Sequence, residues 1–160
     1  MKIMVFTEGT ITMHRNAAGH LRTEIIEQIK GEEPSVKEYE SYIPIGDAVK
    51  KLTSWVNDGA EILYLTSRRK PVEIEVMRSV LKQYGFPDGQ LLFRREGEEY
   101  KNVVERVMPN ILIEDDCESI GGTEAMTITH VSSETKAKIK SISVPEFGGV
   151  DHLDDKISAP

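Results

Sequence analysis

The chain has 160 residues, of which 39% are hydrophobic and 29% charged, the proportions of a globular protein rather than a disordered tail. Its 27 acidic against 20 basic side chains leave a net charge of −7, which argues against a nucleic-acid surface, since phosphate backbones are held by clustered Lys and Arg. The one cysteine, Cys117, excludes an internal disulfide and fits a reducing compartment. The length predicts one domain over 1–160. The opening apolar run, Met1 to Phe6, is too short for a secretory signal or for a membrane span of about 20 residues, so a cytoplasmic location is expected.

Apolar runs alternate with segments of helical period, which predicts a parallel α/β sheet. Lys2 to Phe6 reads as a buried strand closed by Gly9. Thr10 to His14 and Gly19 to Arg22 flank the turn Asn16-Ala17-Ala18-Gly19 and read as a small hairpin, followed by a short helix over Glu24 to Lys30 that stops at Gly31. Ala48, Val49, Leu52, Trp55 and Val56 repeat at helical spacing, with Asn57-Asp58-Gly59 as the stop. Glu61 to Leu65 is a second strand. Pro71 suits the start of a helix whose apolar stripe is Val72, Val76, Met77, Val80, Leu81 and Tyr84. Leu91 to Phe93 is a third strand, Tyr100, Val103, Val104 and Val107 mark a helix stopped by Pro109, and Ile111 to Ile113 is a fourth strand. Met126 to Val131 alternates, as an edge strand does, and Lys138 to Val144 is a further candidate. His14, His20, His130 and His152 lack metal-ligand spacing and read as surface or flap residues. Trp55 and Met77 read as core, and Cys117 as a small buried side chain.

In an open parallel sheet, ligands bind beyond the carboxyl ends of the strands. The residues there are Thr7-Glu8-Gly9-Thr10 after the first strand, Thr66-Ser67-Arg68-Arg69 after the second, and Glu114-Asp115-Asp116 after the fourth. Carboxylates suit a hard cation, whereas hydroxyls and cations suit a phosphoryl group, so the set reads as a phosphate-plus-magnesium pocket. Plainer roles stay open beside this one: Asp115 and Asp116 as helix caps, Glu8 as a turn carboxylate, Thr66 and Ser67 capping the helix near Pro71, and Lys101 on a solvated helix face.

The order and spacing of these segments resemble the haloacid dehalogenase (HAD) superfamily of phosphatases from Met1 to about Val131. In that family the first strand ends in D-x-D-x-[TV], and Val5-Phe6-Thr7-Glu8-Gly9-Thr10 stands at this place. Ile62 to Arg68 looks like the second motif, an apolar strand ending in Thr or Ser; Lys101 stands where the third-motif Lys is found, and Glu114-Asp115-Asp116 where the acidic pair is found. The resemblance implies a three-layer, Rossmann-like α/β fold with a parallel sheet of about five strands. Their order, numbered along the chain, would be 5-4-1-2-3, with a small flap over 11–45 after strand 1 and a tail over 145–160. It further implies Mg²⁺ on Glu8, Asp115 and Asp116, phosphate on Thr66, Ser67 and Lys101, and catalytic roles for Glu8 and Thr7.

The departure lies at the nucleophile. Matching Gly9-Thr10 to the family's G-T puts Glu8 at the general-acid position and Phe6 at the nucleophile; matching the apolar residues before the nucleophile puts Thr7 there. Neither alignment supplies the family's Asp, and a threonine hydroxyl without a partner base is a weak nucleophile. Two functions follow: a phosphohydrolase with a substituted nucleophile or an activated water, and a non-catalytic relative that binds a phosphorylated ligand or a protein. Residues 67–100 leave no room for a cap, so the site is open to a phosphorylated small molecule or macromolecule, or is covered by a second subunit in a homo-oligomer.

Overall fold

The computed structural model describes residues 1–158. Along the chain, β1 (Lys2–Phe6) is followed by β2 (Thr12–Met13), α1 (Arg22–Lys30), β3 (Ile43–Pro44), α2 (Ala48–Asn57), β4 (Glu61–Leu65), α3 (Pro71–Gln83) and β5 (Gln90–Leu92). Then come α4 (Tyr100–Val107), β6 (Ile111–Asp115), the single turns α5 (Thr127–His130) and α6 (Ser133–Lys136), and β7 (Lys140–Val144). Five strands form one parallel sheet in the order β5-β4-β1-β6-β7.

The central strands are continuously apolar because both faces of the sheet are covered. Their period-2 alternation divides the core into two layers. Ile3, Val5, Ile62, Tyr64, Ile111 and Ile113 face α2 and α3, where Leu52, Trp55, Ile74, Met77 and Val80 bury themselves. Met4, Leu63, Leu65 and Leu112 face the opposite way, onto Val103 and Val104 of α4. Helix α3 opens with Pro71 in its first turn, where the missing N–H has no intrahelical partner to lose. Its buried stripe runs through Ile74, and Val72, expected on that stripe, is 76% exposed.

Two further elements differ from the sequence reading. The segment from Met126 to Val131 is not the edge strand: Thr127–His130 form α5, and the edge is β7, paired with β6 from Ile111↔Lys140 to Asp115↔Val144. The reason is local. The buried carboxylate of Glu114 accepts the Thr127 and Ile128 N–H groups at 2.7 and 3.0 Å, which satisfies the start of a helical turn and leaves the alternation M-T-I-T-H-V without a sheet partner. The strand order thus differs in the identity of its outer member. The expected hairpin over 10–22 is absent as well. Thr12–Met13 pair antiparallel with Ile43–Pro44 instead, and Arg15–Ala17 form a short 3₁₀ turn. Ala17 is buried with Ile25, Ile26, Ile45 and Phe147 in a small core of its own. His14, read as a surface or flap residue, lies in the 11–45 segment and is buried there, with its ring edge-on to Phe147 and its Nε2 paired with Gln28 Oε1 at 2.7 Å.

The chain after β7 returns across the molecule. Phe147 N–H donates to the Gly9 carbonyl at 2.8 Å, Val150 is fully buried, and the Trp55 indole N–H donates to the Asp154 carbonyl at 3.0 Å. No helix among the described residues is long and apolar enough to cross a membrane.

Trp55→Ala is expected to lower unfolding free energy by about 3–5 kcal/mol in urea titrations followed by circular dichroism. Val72→Ala, on the same sequence argument but exposed, should stay within about 0.5 kcal/mol of the parent chain.

Candidate functional site

All five parallel strands present their carboxyl ends to one side, and β1 sits between β4 and β6 with Phe6 level with Leu65 and Val5 level with Ile113. After Phe6 the chain turns sharply. The Thr7 carbonyl accepts N–H groups from Thr10, Ile11 and Thr12, and Gly9 N–H donates to the Thr12 carbonyl at 2.8 Å. Gly9 has φ +84°, and a Cβ there would stand 3.0 Å from Asp115 Oδ2, so both backbone geometry and space require glycine. Thr7 is fully buried, with its hydroxyl 3.5 Å from the Leu65 carbonyl and donating to the Glu8 carboxylate.

Glu8 reaches across to the tip of β4. Its Oε1 accepts Thr66 Oγ1 at 2.5 Å, Ser67 Oγ at 3.0 Å and Ser67 N–H at 3.1 Å. Arg68 Nε stands 3.7 Å from the same oxygen. That guanidinium is fixed by stacking 4.4 Å above the Tyr39 ring, by the Tyr39 hydroxyl, and by Nη2 donating to Ser67 Oγ at 3.1 Å.

The acids at the carboxyl end of β6 take three directions. Glu114 turns to α5, and burial pushes its carboxyl up. Asp115 accepts Thr10 Oγ1 and Cys117 N–H, each at 2.9 Å, and burial raises its carboxyl too. Asp116 Oδ1 accepts Glu146 N–H at 3.1 Å, while its Oδ2 lies 3.4 Å from Arg22 Nη2. Glu146, on the loop after β7, is buried and accepts Ser119 N–H and Oγ at 2.7 Å; burial is the main cause that raises it. Asp115, Asp116 and Glu146 each offer an oxygen within 4.8 Å of the others. Three oxygen donors gathered this closely, two of them with their charged form disfavoured by burial, suit a hard divalent cation. The thiol of Cys117 is pushed well up, by burial first and then by the neighbouring carboxylates, which disfavours its thiolate.

A cavity of about 130 Å³ opens between these strand tips, and Phe6, Glu8, Ser67, Tyr100, Asp115 and Glu146 are among its walls. Phe6 lies edge-on to Tyr100 at 5.0 Å between ring centroids, and the Arg94 guanidinium stacks 4.1 Å from the Tyr100 centroid. Arg94 Nη2 also donates to the Ser67 carbonyl at 3.0 Å.

Of the residues singled out in the sequence, the structure brings Thr7, Glu8, Thr66 and Ser67 into one hydrogen-bonded group. Asp115 and Asp116 gather with Glu146, while the Glu8 carboxylate is turned to the β4 donors. Lys101 points elsewhere: its Nζ is 3.8 Å from Glu99, and it lines a neighbouring surface cavity with Arg94 and His130. Sequence reasoning passed over Glu146 and Arg94. The signal for Glu146 was its position just after a strand; once Lys140–Val144 is the edge strand, the next acid falls at the carboxyl end of the same sheet.

No protein-family model and no curated protein matches the chain. Solved structures do. A class C acid phosphatase from Bacillus anthracis, determined with tungstate bound, superposes with a TM-score of 0.57 at 14% identity, over 92% of this chain and 68% of that one. The Pnkp1/Rnl/Hen1 RNA repair complex gives 0.53 at 11% identity, over 91% of this chain and 42% of that one. A D,D-heptose 1,7-bisphosphate phosphatase from Burkholderia thailandensis gives 0.49 at 8% identity, over 91% and 92%. The chain therefore spans less than half the length of the second and about two thirds of the first. At these identities the likeness is one of architecture, and the chain has a HAD-like α/β fold.

Proposed function

We propose that this protein binds Mg²⁺ and a phosphorylated ligand at the tips of β1, β4 and β6, and does not hydrolyse the phosphate ester. The observation that carries the reading is the pair Phe6-Thr7 where the fold's phosphatases place a nucleophile. Phe6 is packed on Tyr100, and the Thr7 hydroxyl is buried against the Glu8 carboxylate and the Leu65 carbonyl, away from the walls of the cavity. Around that position the means of holding a phosphate ester remain. Thr66, Ser67 and Arg68 supply hydroxyl, N–H and guanidinium donors, and Asp115, Asp116 and Glu146 would hold the cation, which supplies charge neutralisation for the bound phosphate. Lys101, facing Glu99, stays in the proposal only as a residue at the rim.

A second reading rests on Glu8, a carboxylate on the β1 turn that lines the cavity. As nucleophile or as base for a water it would make the protein a phosphohydrolase. Its longer arm displaces the attacking oxygen relative to an aspartate, and about 1 Å of misplacement costs roughly a hundredfold in rate.

With Mg²⁺ present, a panel of phosphomonoesters is expected to raise the melting temperature of the wild-type protein without phosphate release above background. Ligand at a hundredfold over its Kd should add about 2.7 kcal/mol of stability. Mg²⁺-dependent phosphate release that disappears in Glu8→Gln would establish the second reading instead.

For the cation, Asp115→Asn and Glu146→Gln are each expected to weaken Mg²⁺ binding in isothermal titration by at least about tenfold, a loss of about 1.4 kcal/mol. Lys101→Ala should leave it unchanged. Equal Mg²⁺ affinity in all three variants would remove the acid cluster from the proposal.

A further inference from the structure

Resting on the reading of this cavity as a phosphate site, we propose that Glu8 is an intramolecular stand-in for the ligand's phosphoryl group. The chain closes its own anion hole, and an external tetrahedral oxyanion binds by displacing the Glu8 carboxylate. The argument begins with a count of donors. A carboxylate has two oxygens and about four lone-pair directions. Glu8 spends them on the hydroxyl of Thr66, which reaches both oxygens at 2.5 and 3.1 Å, on the N–H and hydroxyl of Ser67, and on the hydroxyl of Thr7. One donor is still left over. Arg68 Nε is buried, has no hydrogen-bond partner among the described residues, and stands 3.7 Å from Oε1.

A turn carboxylate needs no such surround; one or two N–H groups suffice to hold it. Backbone N–H, paired hydroxyls and a guanidinium converging from consecutive residues at a strand tip make an oxyanion receptor. A tetrahedral dianion brings more oxygens and more charge than Glu8 does, so it can take the donors Glu8 now occupies and the Arg68 Nε that Glu8 leaves unpaired. The backbone does not have to move for this exchange. Residues 7–12 are pinned by the Thr7 and Gly9 hydrogen bonds, and Glu8 pairs with Thr12 in an isolated bridge, so only the Glu8 side chain must rotate. It has somewhere to go, because the cavity it lines continues towards Tyr100 and Asp115.

The test compares wild type, Glu8→Ala and Glu8→Gln, with inorganic phosphate and tungstate as probes at constant ionic strength set by chloride. Removing the carboxylate leaves buried donors unpaired, so Glu8→Ala is expected to melt below wild type in chloride and to recover on adding phosphate. Its phosphate affinity by isothermal titration should exceed that of wild type at least tenfold, and adding Thr66→Val should abolish the gain. Glu8→Gln keeps the side chain's size and one acceptor oxygen while removing the charge, and it should bind phosphate several-fold tighter than wild type; it carries the comparison if Glu8→Ala does not fold. Phosphate binding no tighter than wild type in a folded Glu8→Ala or Glu8→Gln overturns the proposal. Tighter binding in the variants, with no phosphomonoester stabilising wild type in Mg²⁺, leaves the role of Glu8 standing and overturns the proposed function. Equal stabilisation of wild type and variants by phosphomonoesters does the reverse.

Discussion

The register of β1 between its two parallel neighbours decides where everything else can stand. Because Phe6 is level with Leu65 and Val5 with Ile113, the residues that leave these strands emerge together at one edge of the sheet. Glu8 then meets Thr66 and Ser67, and Thr10 meets Asp115, although 58, 59 and 105 residues separate these pairs along the chain. A one-residue slip of β1 would exchange its two faces, putting Ile3 and Val5 where Met4 packs and burying the wrong side chains on both layers. The hydrophobic core thereby enforces the register, and the register assembles the polar cluster.

That cluster is dense in acids for so small a space, and the chain offsets this cost in two ways. Donors are supplied from several elements: Thr10 and Cys117 N–H to Asp115, Ser119 to Glu146, the α5 backbone to Glu114, and Arg22 to the outer edge at Asp116 and Glu118. Burial nevertheless raises Glu114, Asp115 and Glu146, so their charged forms are held at some disadvantage. The segment after β7 takes part in both the packing and the electrostatics. It delivers Glu146 to the acids, and its Phe147 N–H ties it to the Gly9 carbonyl in the β1 turn. The C-terminal chain is thus joined to the first loop of the fold rather than appended to it.

The β4 side has the opposite character. Thr66, Ser67 and Arg68 form a donor-rich arc with Tyr39 stacked behind it, and the negative charge met there comes from the protein itself. On the proposed reading these donors and the Asp115, Asp116 and Glu146 acids are the two halves of one site, for an anion and for a cation, with Phe6 and Thr7 on the strand between them.

The sequence by itself determined the parallel α/β layering, the strands β1, β4, β5 and β6, the helices α1 to α4 and the loops that carry the polar residues. Those signals are local: solid apolar runs for strands buried on both faces, a 3.6-residue period for helices, and glycine or proline at the stops. The outer strand was left between two candidates, Met126 to Val131 and Lys138 to Val144: an alternating hexamer such as the first fits an edge strand and a capped helical turn equally well, and only the Glu114 carboxylate beneath Thr127 decided against it. Tertiary structure alone also decided which way Glu8 points and that Glu146 joins Asp115 and Asp116. Those outcomes depend on donors arriving within about 3 Å from segments distant in the chain. No periodicity along the chain carries that distance; it is set when β1, β4, β6 and β7 line up their carboxyl ends.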